Sequence, residues 1–510
     1  MSASLFKSTS LVSAMTFISR ILGFVRDVIA AQLFGVNAAT DAFSVAFKIP
    51  NFMRNLFAEG SFSQAFVPVL SDYRQKYNPD RVRLFISHMS AALGLVLLII
   101  TVLGVWGAHV VVNIFAPGLD PYRYSLASQM LRITFPYLML ISLTAFAGAT
   151  LNTYGKFGVQ SFTPALLNIC LIATAYGLSN YFQVPIMSQA WGILIAGFIQ
   201  LFFQLPFLYQ NNLLVRPRLD WRDPGVRRVL KLMAPALFGA SVSQISLLLN
   251  TIFASFLKTG SVTWLYYSDR LAYFPLGVFG VALGTVVLTH LSRHFTAGSE
   301  QGFTRTIDWG VRCNLIIGIP ASLTMMILAG PLIVSLFQYG KFQAYDVYMT
   351  RQSVIAYAVG LQAFMLVKIL SSAFYARQDV RTPVRIGILA VAANILFNLI
   401  LILPLAHAGL ALAASLGSWF NVVLLMIILY RKNIYRAQKN WRKFVLQLIC
   451  ANTVLGLFLW WAKGDLATWL NWHWQQRFLH ILLLGILSVG IYTVLLWGSG
   501  MRMKDFKIET

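Results

Sequence analysis

The sequence predicts an all-α polytopic membrane protein of about fourteen transmembrane helices, and three observations carry that prediction. The composition is 58% hydrophobic and only 11% charged, against roughly 25% charged for a soluble domain. Apolar runs, such as 91–111, 386–403 and 478–497, recur along the whole chain, each long enough to cross a hydrocarbon core of about 30 Å. The chain also repeats itself at an offset of about 220 residues. A large soluble enzyme is excluded.

In chain order the spans are predicted near 8–34, 40–70, 84–116, 125–153, 159–181, 187–210, 226–256, 262–292, 307–338, 347–375, 384–404, 407–430, 443–463 and 478–501. Span 1 is not a cleavable signal: it is too long, carries Arg20 and Arg26, and lacks a small-residue cleavage site. Span 2 is amphipathic. Spans 3–6 are apolar, with Pro164 opening span 5 as Pro383 opens span 11. Span 8 repeats span 2: Pro275 and Gly284 answer Pro50 and Gly60, and the segment 287–292 answers 66–71. Val334-Ser335-Leu336-Phe337 before Gly340 likewise answers Val112-Asn113-Ile114-Phe115 before Gly118.

Six spans per unit is an even number, so both halves share one orientation, a parallel repeat about an axis along the membrane normal. The predicted units are 1–222, 223–440 and an unrepeated pair over 441–510. Trp460, Trp461, Trp469, Trp472 and Trp474 cluster around the outer loop of that pair and are expected to anchor it at the interface.

The net charge is +24. With the amino end inside, the cytoplasmic segments and the helix ends next to them, which include 74–83, 216–231, 377–385 and 431–443, hold 26 of the 40 Lys and Arg. The outer loops hold Arg123, Lys258, Lys341, Lys463 and Arg477. By the positive-inside rule both termini are cytoplasmic. Basic charge is thus a topology signal with a secondary attraction to membrane lipids, and no nucleic-acid partner is expected. Cys170, Cys313 and Cys450 lie within apolar spans without metal-ligand spacing, as small core residues do.

Ten charges sit deep in the spans: Arg20, Arg26, Lys48, Arg54, Arg270 and Lys368, with Asp27, Asp41, Glu59 and Asp269. Facing lipid, the ten would cost on the order of 25–35 kcal/mol, beyond the net stability of a typical protein. They must be paired or line a watery cavity. On span 2, Asp41, Ser44, Lys48, Asn51, Asn55 and Glu59 recur at helical spacing as one polar stripe, with Arg54 beside it. Tyr266, Asp269, Arg270 and Tyr273 occupy the equivalent stretch of span 8, so the two polar faces are expected to look onto one cavity.

The surplus of arginine, whose planar fork suits phosphate and carboxylate oxygens, points to an anionic headgroup. Salt bridges that lock helices together are the competing reading, strongest for Asp27, Asp269, Lys48 and Lys368. Arg20 and Arg26 would point about 120° apart on an ideal helix; a bend at Gly23 is expected to bring both into the cavity.

Gly155-Lys156 and Gly340-Lys341 are each followed by Phe, so no ATP-binding loop is present. The outer acids Asp120, Asp346 and Asp465 form no close pair, which argues against a membrane-embedded glycosyltransferase. No enzymatic step, no cofactor and no metal is expected.

Ser19-Arg20-Ile21-Leu22-Gly23-Phe24-Val25-Arg26-Asp27 resembles the first-helix signature of the MurJ (MviN) lipid II flippases, members of the multidrug/oligosaccharidyl-lipid/polysaccharide exporter superfamily. So do Thr40-Asp41-Ala42-Phe43, the run from Phe57 through Glu59 to Pro68, Tyr267-Ser268-Asp269-Arg270-Leu271, and Phe337-Gln338-Tyr339-Gly340-Lys341-Phe342. The resemblance implies two six-helix lobes in a V around a central cavity, with the last pair forming a groove for a polyprenyl tail. It implies transport of undecaprenyl-pyrophosphate-linked peptidoglycan precursor, lipid II, from the cytoplasmic to the periplasmic leaflet of a bacterial inner membrane, serving cell-wall synthesis.

The family's cavity arginines fall on Arg20, Arg26, Arg54 and Arg270, and its acids on Asp41 and Glu59. Ser19, Asn51 and Asn55 complete the expected substrate site, with Lys48, Asp269 and Lys368 as supporting charges. Tyr273 stands where relatives often carry an acid. Spans 7 and 11 offer Asn250, Asn394 and Asn398 but no acid, so membrane potential is the expected drive and sodium coupling is in doubt. A monomer is expected. The rival readings are a flippase for another polyprenyl-linked oligosaccharide, a cation-coupled drug exporter, a wall-assembly enzyme and a scaffold; a drug exporter would favour acids in its cavity.

Overall fold

The computed structural model describes residues 3–55, 62–438 and 440–502, with the backbone only for 3–10 and 234–247. Among the described residues every regular element is helical. Among the described residues, ten helical stretches are long and apolar enough to cross a membrane. The chain divides by packing into two compact units, Met1–Thr263 and Trp264–Thr510.

The first unit begins with α1 (Ala3–Phe34), α2 (Ala38–Arg54) and α3 (Ser63–Lys76). Glu59, with the rest of 56–61, lies outside the described residues. Asn37 starts α2 with a capping box closed by Thr40. Pro50 interrupts the α2 ladder by lacking an N–H, and the carbonyl it frees, that of Ala46, accepts from the Thr134 hydroxyl at 3.3 Å. A partner on another helix thus replaces the lost bond, as an apolar solvent requires.

Two expected spans are broken. Span 3 becomes α4 (Pro79–Trp106) and α5 (Ala108–Phe115), divided at Gly107. Span 4 becomes α6 (Pro121–Thr134) and α7 (Tyr137–Thr153), divided at Pro136. Between α8 (Phe157–Gly177) and α9 (Met187–Gln210), amides add to apolar contacts such as Phe162 on Phe203. Gln200 and Gln204 donate to the Thr163 carbonyl and hydroxyl, at 2.9 and 3.0 Å.

The first unit takes in α10 (Pro224–Ser255), which packs on α3, α4 and α5. Asp223 explains part of that docking. It caps α10 at the Gly225 and Val226 amides while its other oxygen meets His88 of α4 at 3.1 Å.

The second unit holds most of α11 (Ser261–Pro275), which passes through a π-helical turn at Leu276–Gly280 into α12 (Val281–Thr296). It continues with α13 (Glu300–Ile327), α14 (Ala329–Phe337), α15 (Ala344–Ala376) and α16 (Arg381–Arg431). Expected spans 11 and 12 both lie in α16, joined at Ala406, whose φ of 48° and ψ of −126° break the helix.

The chain ends in α17 (Trp441–Ala462), α18 (Leu466–Asn471) and α19 (Trp474–Gly498). This last pair is tied down by polar side chains. Buried Asp308 of α13 accepts from the Tyr435 hydroxyl, the Trp441 indole and Arg312, at 2.8, 2.7 and 2.7 Å. The Tyr492 hydroxyl bonds the Ile316 carbonyl at 2.9 Å, the one that Pro320 leaves without its helical donor.

Arg477, read from the sequence as an outer-loop charge, is buried and donates to the carbonyls of Val334, Gln338 and Leu470 at 2.9–3.2 Å. Trp460, Trp461 and Trp474 are exposed, as anchors at an interface would be. Trp469 is not one of them: it is buried, and its indole caps the Lys463 carbonyl. Cys170 and Cys313 are buried and Cys450 is exposed on α17, all three as free thiols.

Candidate headgroup site

Each unit carries part of the expected site. On α1, Arg26 is buried, its guanidinium held by Asp27 at 2.6 Å and by the Asn168 amide oxygen of α8 at 3.0 Å. Asn168 also donates to the Ser19 carbonyl at 3.1 Å, so a single side chain fastens both ends of the first-helix signature.

The bend expected at Gly23 does not bring the two arginines together. The helix α1 runs unbroken through this residue, and Gly23 instead lets α1 come close to Asn168, whose amide lies 3.5 Å from where a Cβ would stand. Arg20 is exposed whereas Arg26 is buried. The structure therefore splits a pair that the motif groups, and assigns Arg26 a locking contact.

The α2 stripe grades from closed to open. Asp41 is fully buried. It accepts from the Gly260 and Thr263 amides at 2.7 and 2.9 Å, from the Thr263 hydroxyl at 2.6 Å, and from Arg123 at 3.3 Å. Its carboxylate thus caps the start of α11, where backbone N–H groups lack helical partners and the helix dipole favours an anion. With its oxygens so engaged, Asp41 ties α2 to the start of α11 in this structure.

Arg123, read only as an outer-loop charge, is buried between Asp41 and Asp120. Asp120 in turn caps α6 through the Tyr122 and Arg123 amides, and these bonds, the Arg123 amide foremost, hold its carboxyl below the ordinary carboxylate range. The Asp-Pro-x-Arg order at 120–123 was the available signal, a helix start carrying its own counter-charge.

Ser44 is buried. Lys48 is half-buried and reaches the Thr251 hydroxyl of α10 at 3.4 Å. At the far end the Asn51 amide oxygen accepts two bonds from Arg54, at 3.0 and 2.8 Å. This leaves Asn51, Arg54 and Asn55 half-buried together. Among the described residues of the stripe and its neighbour Arg54, these three and Lys48 are partly accessible.

In the second unit Arg270 is exposed on α11. Its guanidinium lies over the Tyr266 ring, 5.0 Å from the centroid, and donates to the Tyr266 hydroxyl at 3.2 Å. Tyr266, one turn earlier, thus supplies a contact where the absent acid at position 273 leaves none. Tyr273 instead packs against Phe364 and Tyr357, at 5.7 and 6.4 Å between centroids. Asp269 accepts a hydrogen bond from Tyr357. Lys368 is exposed on α15, where Gly284 of α12 leaves room for its stem. The ring beneath this exposed guanidinium stabilises its charge.

These features match a known family. Residues 30–480 match the family described as lipid II flippase MurJ. The chain belongs to that family. A "Probable lipid II flippase MurJ" of Vibrio cholerae is 46% identical, with 99% of this chain and 98% of that protein covered. A solved structure described as lipid II flippase MurJ in an inward closed conformation aligns at a TM-score of 0.80 and 27% identity, covering 96% of this chain and all of the other. An inward-facing multidrug transporter of the wider superfamily shares the fold at a TM-score of 0.66 and 13% identity. Within this MurJ-family chain, the five signature segments read from the sequence all fall in the matched region or in α1 just before it.

Proposed function

We propose that this chain flips lipid II from the cytoplasmic to the outer leaflet of a bacterial inner membrane. The observation that carries the reading is Arg270: an exposed guanidinium seated on Tyr266 within an apolar span, in a chain of the lipid II flippase family. Arg54 with Asn51 and Asn55 in the first unit, and exposed Arg20, supply the same chemistry. Cationic forks of this kind stabilise a pyrophosphate in a medium of low dielectric.

Transport by alternating access needs no bond to be made or broken, so no catalytic group is required. Arg26, Asp27 and Asp41 act as positioning groups, because each is buried in contacts within its own unit. Both termini are cytoplasmic, following the basic segments, and the protein works as a monomer. An inside-negative membrane potential drives a doubly charged headgroup outward by about 4–5 kcal/mol per 100 mV. No acid stands on α10 or in the first half of α16, so potential rather than sodium is the favoured drive.

The test is flipping of lipid II in proteoliposomes, read as headgroup accessible to an added enzyme. Wild type is expected to equilibrate the leaflets faster under an imposed potential, and Arg270→Ala or Arg54→Ala to abolish flipping while inserting normally. Full activity in both variants would overturn the site. Equal rates with and without potential would overturn the drive.

A further inference from the structure

Neither Asn314 of α13 nor Gln362 of α15 has a hydrogen-bond partner for its amide nitrogen or its amide oxygen among the described residues. Both are buried, Asn314 at 0% exposure and Gln362 at 5%. Each lies inside a helix apolar enough to cross a membrane. Buried polar groups are almost always paired, and in an apolar solvent no bulk water relieves them.

The surroundings put the two amides on one interface. Asn314, Gly318 and Ser322 follow each other one turn apart on a single face of α13. That face meets α15: Gly310, a turn before Asn314, contacts Ile369, and the Gln362 amide oxygen sits 1.9 Å from where a Gly318 Cβ would stand. Gly318 is therefore the recess that admits Gln362. Asn314 is one turn away, about 6 Å along the axis. Two hydrogen bonds in series through a single small molecule span about that distance. The Ser322 hydroxyl, on the turn beyond, is also buried without a partner among the described residues.

We propose that the α13–α15 interface of the second unit holds ordered water bridging Asn314 and Gln362. The chemistry of the donor set selects the ligand. Each amide offers an N–H donor and a carbonyl-type acceptor. A bare cation would be repelled by the open N–H groups and an anion by the open oxygens. A neutral molecule that both donates and accepts satisfies all of them, and water is the smallest. Water sites of this kind are structural parts with two to four polar partners. The site adjoins the stretch of α13 whose ladder Pro320 interrupts and whose Ile316 carbonyl is taken by Tyr492 of α19, so it hydrates the part of the helix already opened for the terminal pair.

The experiment is a density map of the full-length protein in lipid nanodiscs at about 2 Å, with unfolding temperatures of Asn314→Leu, Gln362→Leu and the double variant. The expected map shows a peak within about 2.7–3.2 Å of a polar atom on each amide. Each single variant is expected to unfold a few degrees lower. The double variant recovers most of the summed loss, because it leaves no amide unpaired. Wild-type density without that peak, or the two amides bonded directly to each other, would overturn the proposal. So would an unfolding temperature that rises in sodium over choline in the wild type and not in the double variant, which would mark a cation site.

Discussion

Replacing Asp41 by alanine removes one acceptor group from four donors at once. The Gly260 and Thr263 amides, at 2.7 and 2.9 Å, lose a buried partner, and a buried N–H left unpaired costs about 1–3 kcal/mol. Arg123 keeps Asp120 but loses its second carboxylate at 3.3 Å. Breaking a buried ionic contact from one side typically costs about 3–5 kcal/mol, and the two estimates agree in scale. Asp41→Ala is therefore expected to lower the unfolding temperature by several degrees in detergent. Asp41→Asn should fall between, because it keeps one acceptor oxygen but loses the charge. Lipid II affinity, measured at a temperature where the variant is folded, should change little. An unchanged unfolding temperature together with lost lipid II binding would refute the reasoning and return Asp41 to the headgroup.

Further expectations concern the turn in α16, the Arg270 platform and one surface carboxylate. Ala406 adopts a left-handed φ of 48°, so Ala406→Gly should stabilise the protein by about 1 kcal/mol; an unchanged or lower unfolding temperature would count against strain there. Tyr266→Phe keeps the ring under Arg270 but removes the 3.2 Å bond. It should weaken lipid II binding about fivefold, near 1 kcal/mol, and Tyr266→Ala more; equal losses would mean that the ring contributes nothing.

Asp379 lies in the turn between α15 and α16. Its carboxyl is held below the ordinary value of 3.8 by the Thr382 hydroxyl first, and then by the Thr382 amide and Lys432. A depressed folded value gives stability that is present above the unfolded value near 3.9 and lost as pH falls through the folded one. Asp379→Asn should therefore flatten the fall in unfolding temperature between neutral pH and about pH 3; identical slopes would exclude the contribution.

The apolar runs, the α2 stripe and the tyrosine-flanked Arg270 were legible in the sequence because each is a local pattern: length, helical spacing or a motif. The contacts that decide what each charge does were not. Arg26 reads like Arg20 in the motif, yet one is buried against Asn168, 142 positions away, and the other is exposed. Arg123 and Arg477 read as loop charges, because only the fold reveals that carboxylates or helix-end carbonyls surround them. Trp469 reads as an interface anchor because composition cannot say which of several tryptophans turns inward. The breaks at Gly107 and Pro136 fall inside apolar runs, where hydropathy alone reads one continuous span.

The most direct test of the central claim is outer-leaflet lipid II in cells depleted of this protein, read with an added enzyme that cleaves only exposed precursor. Exposure is expected to collapse on depletion and to return with wild type and with Tyr266→Phe, but not with Arg270→Ala. Unchanged exposure in depleted cells that hold no other flippase, or full rescue by Arg270→Ala, would contradict it.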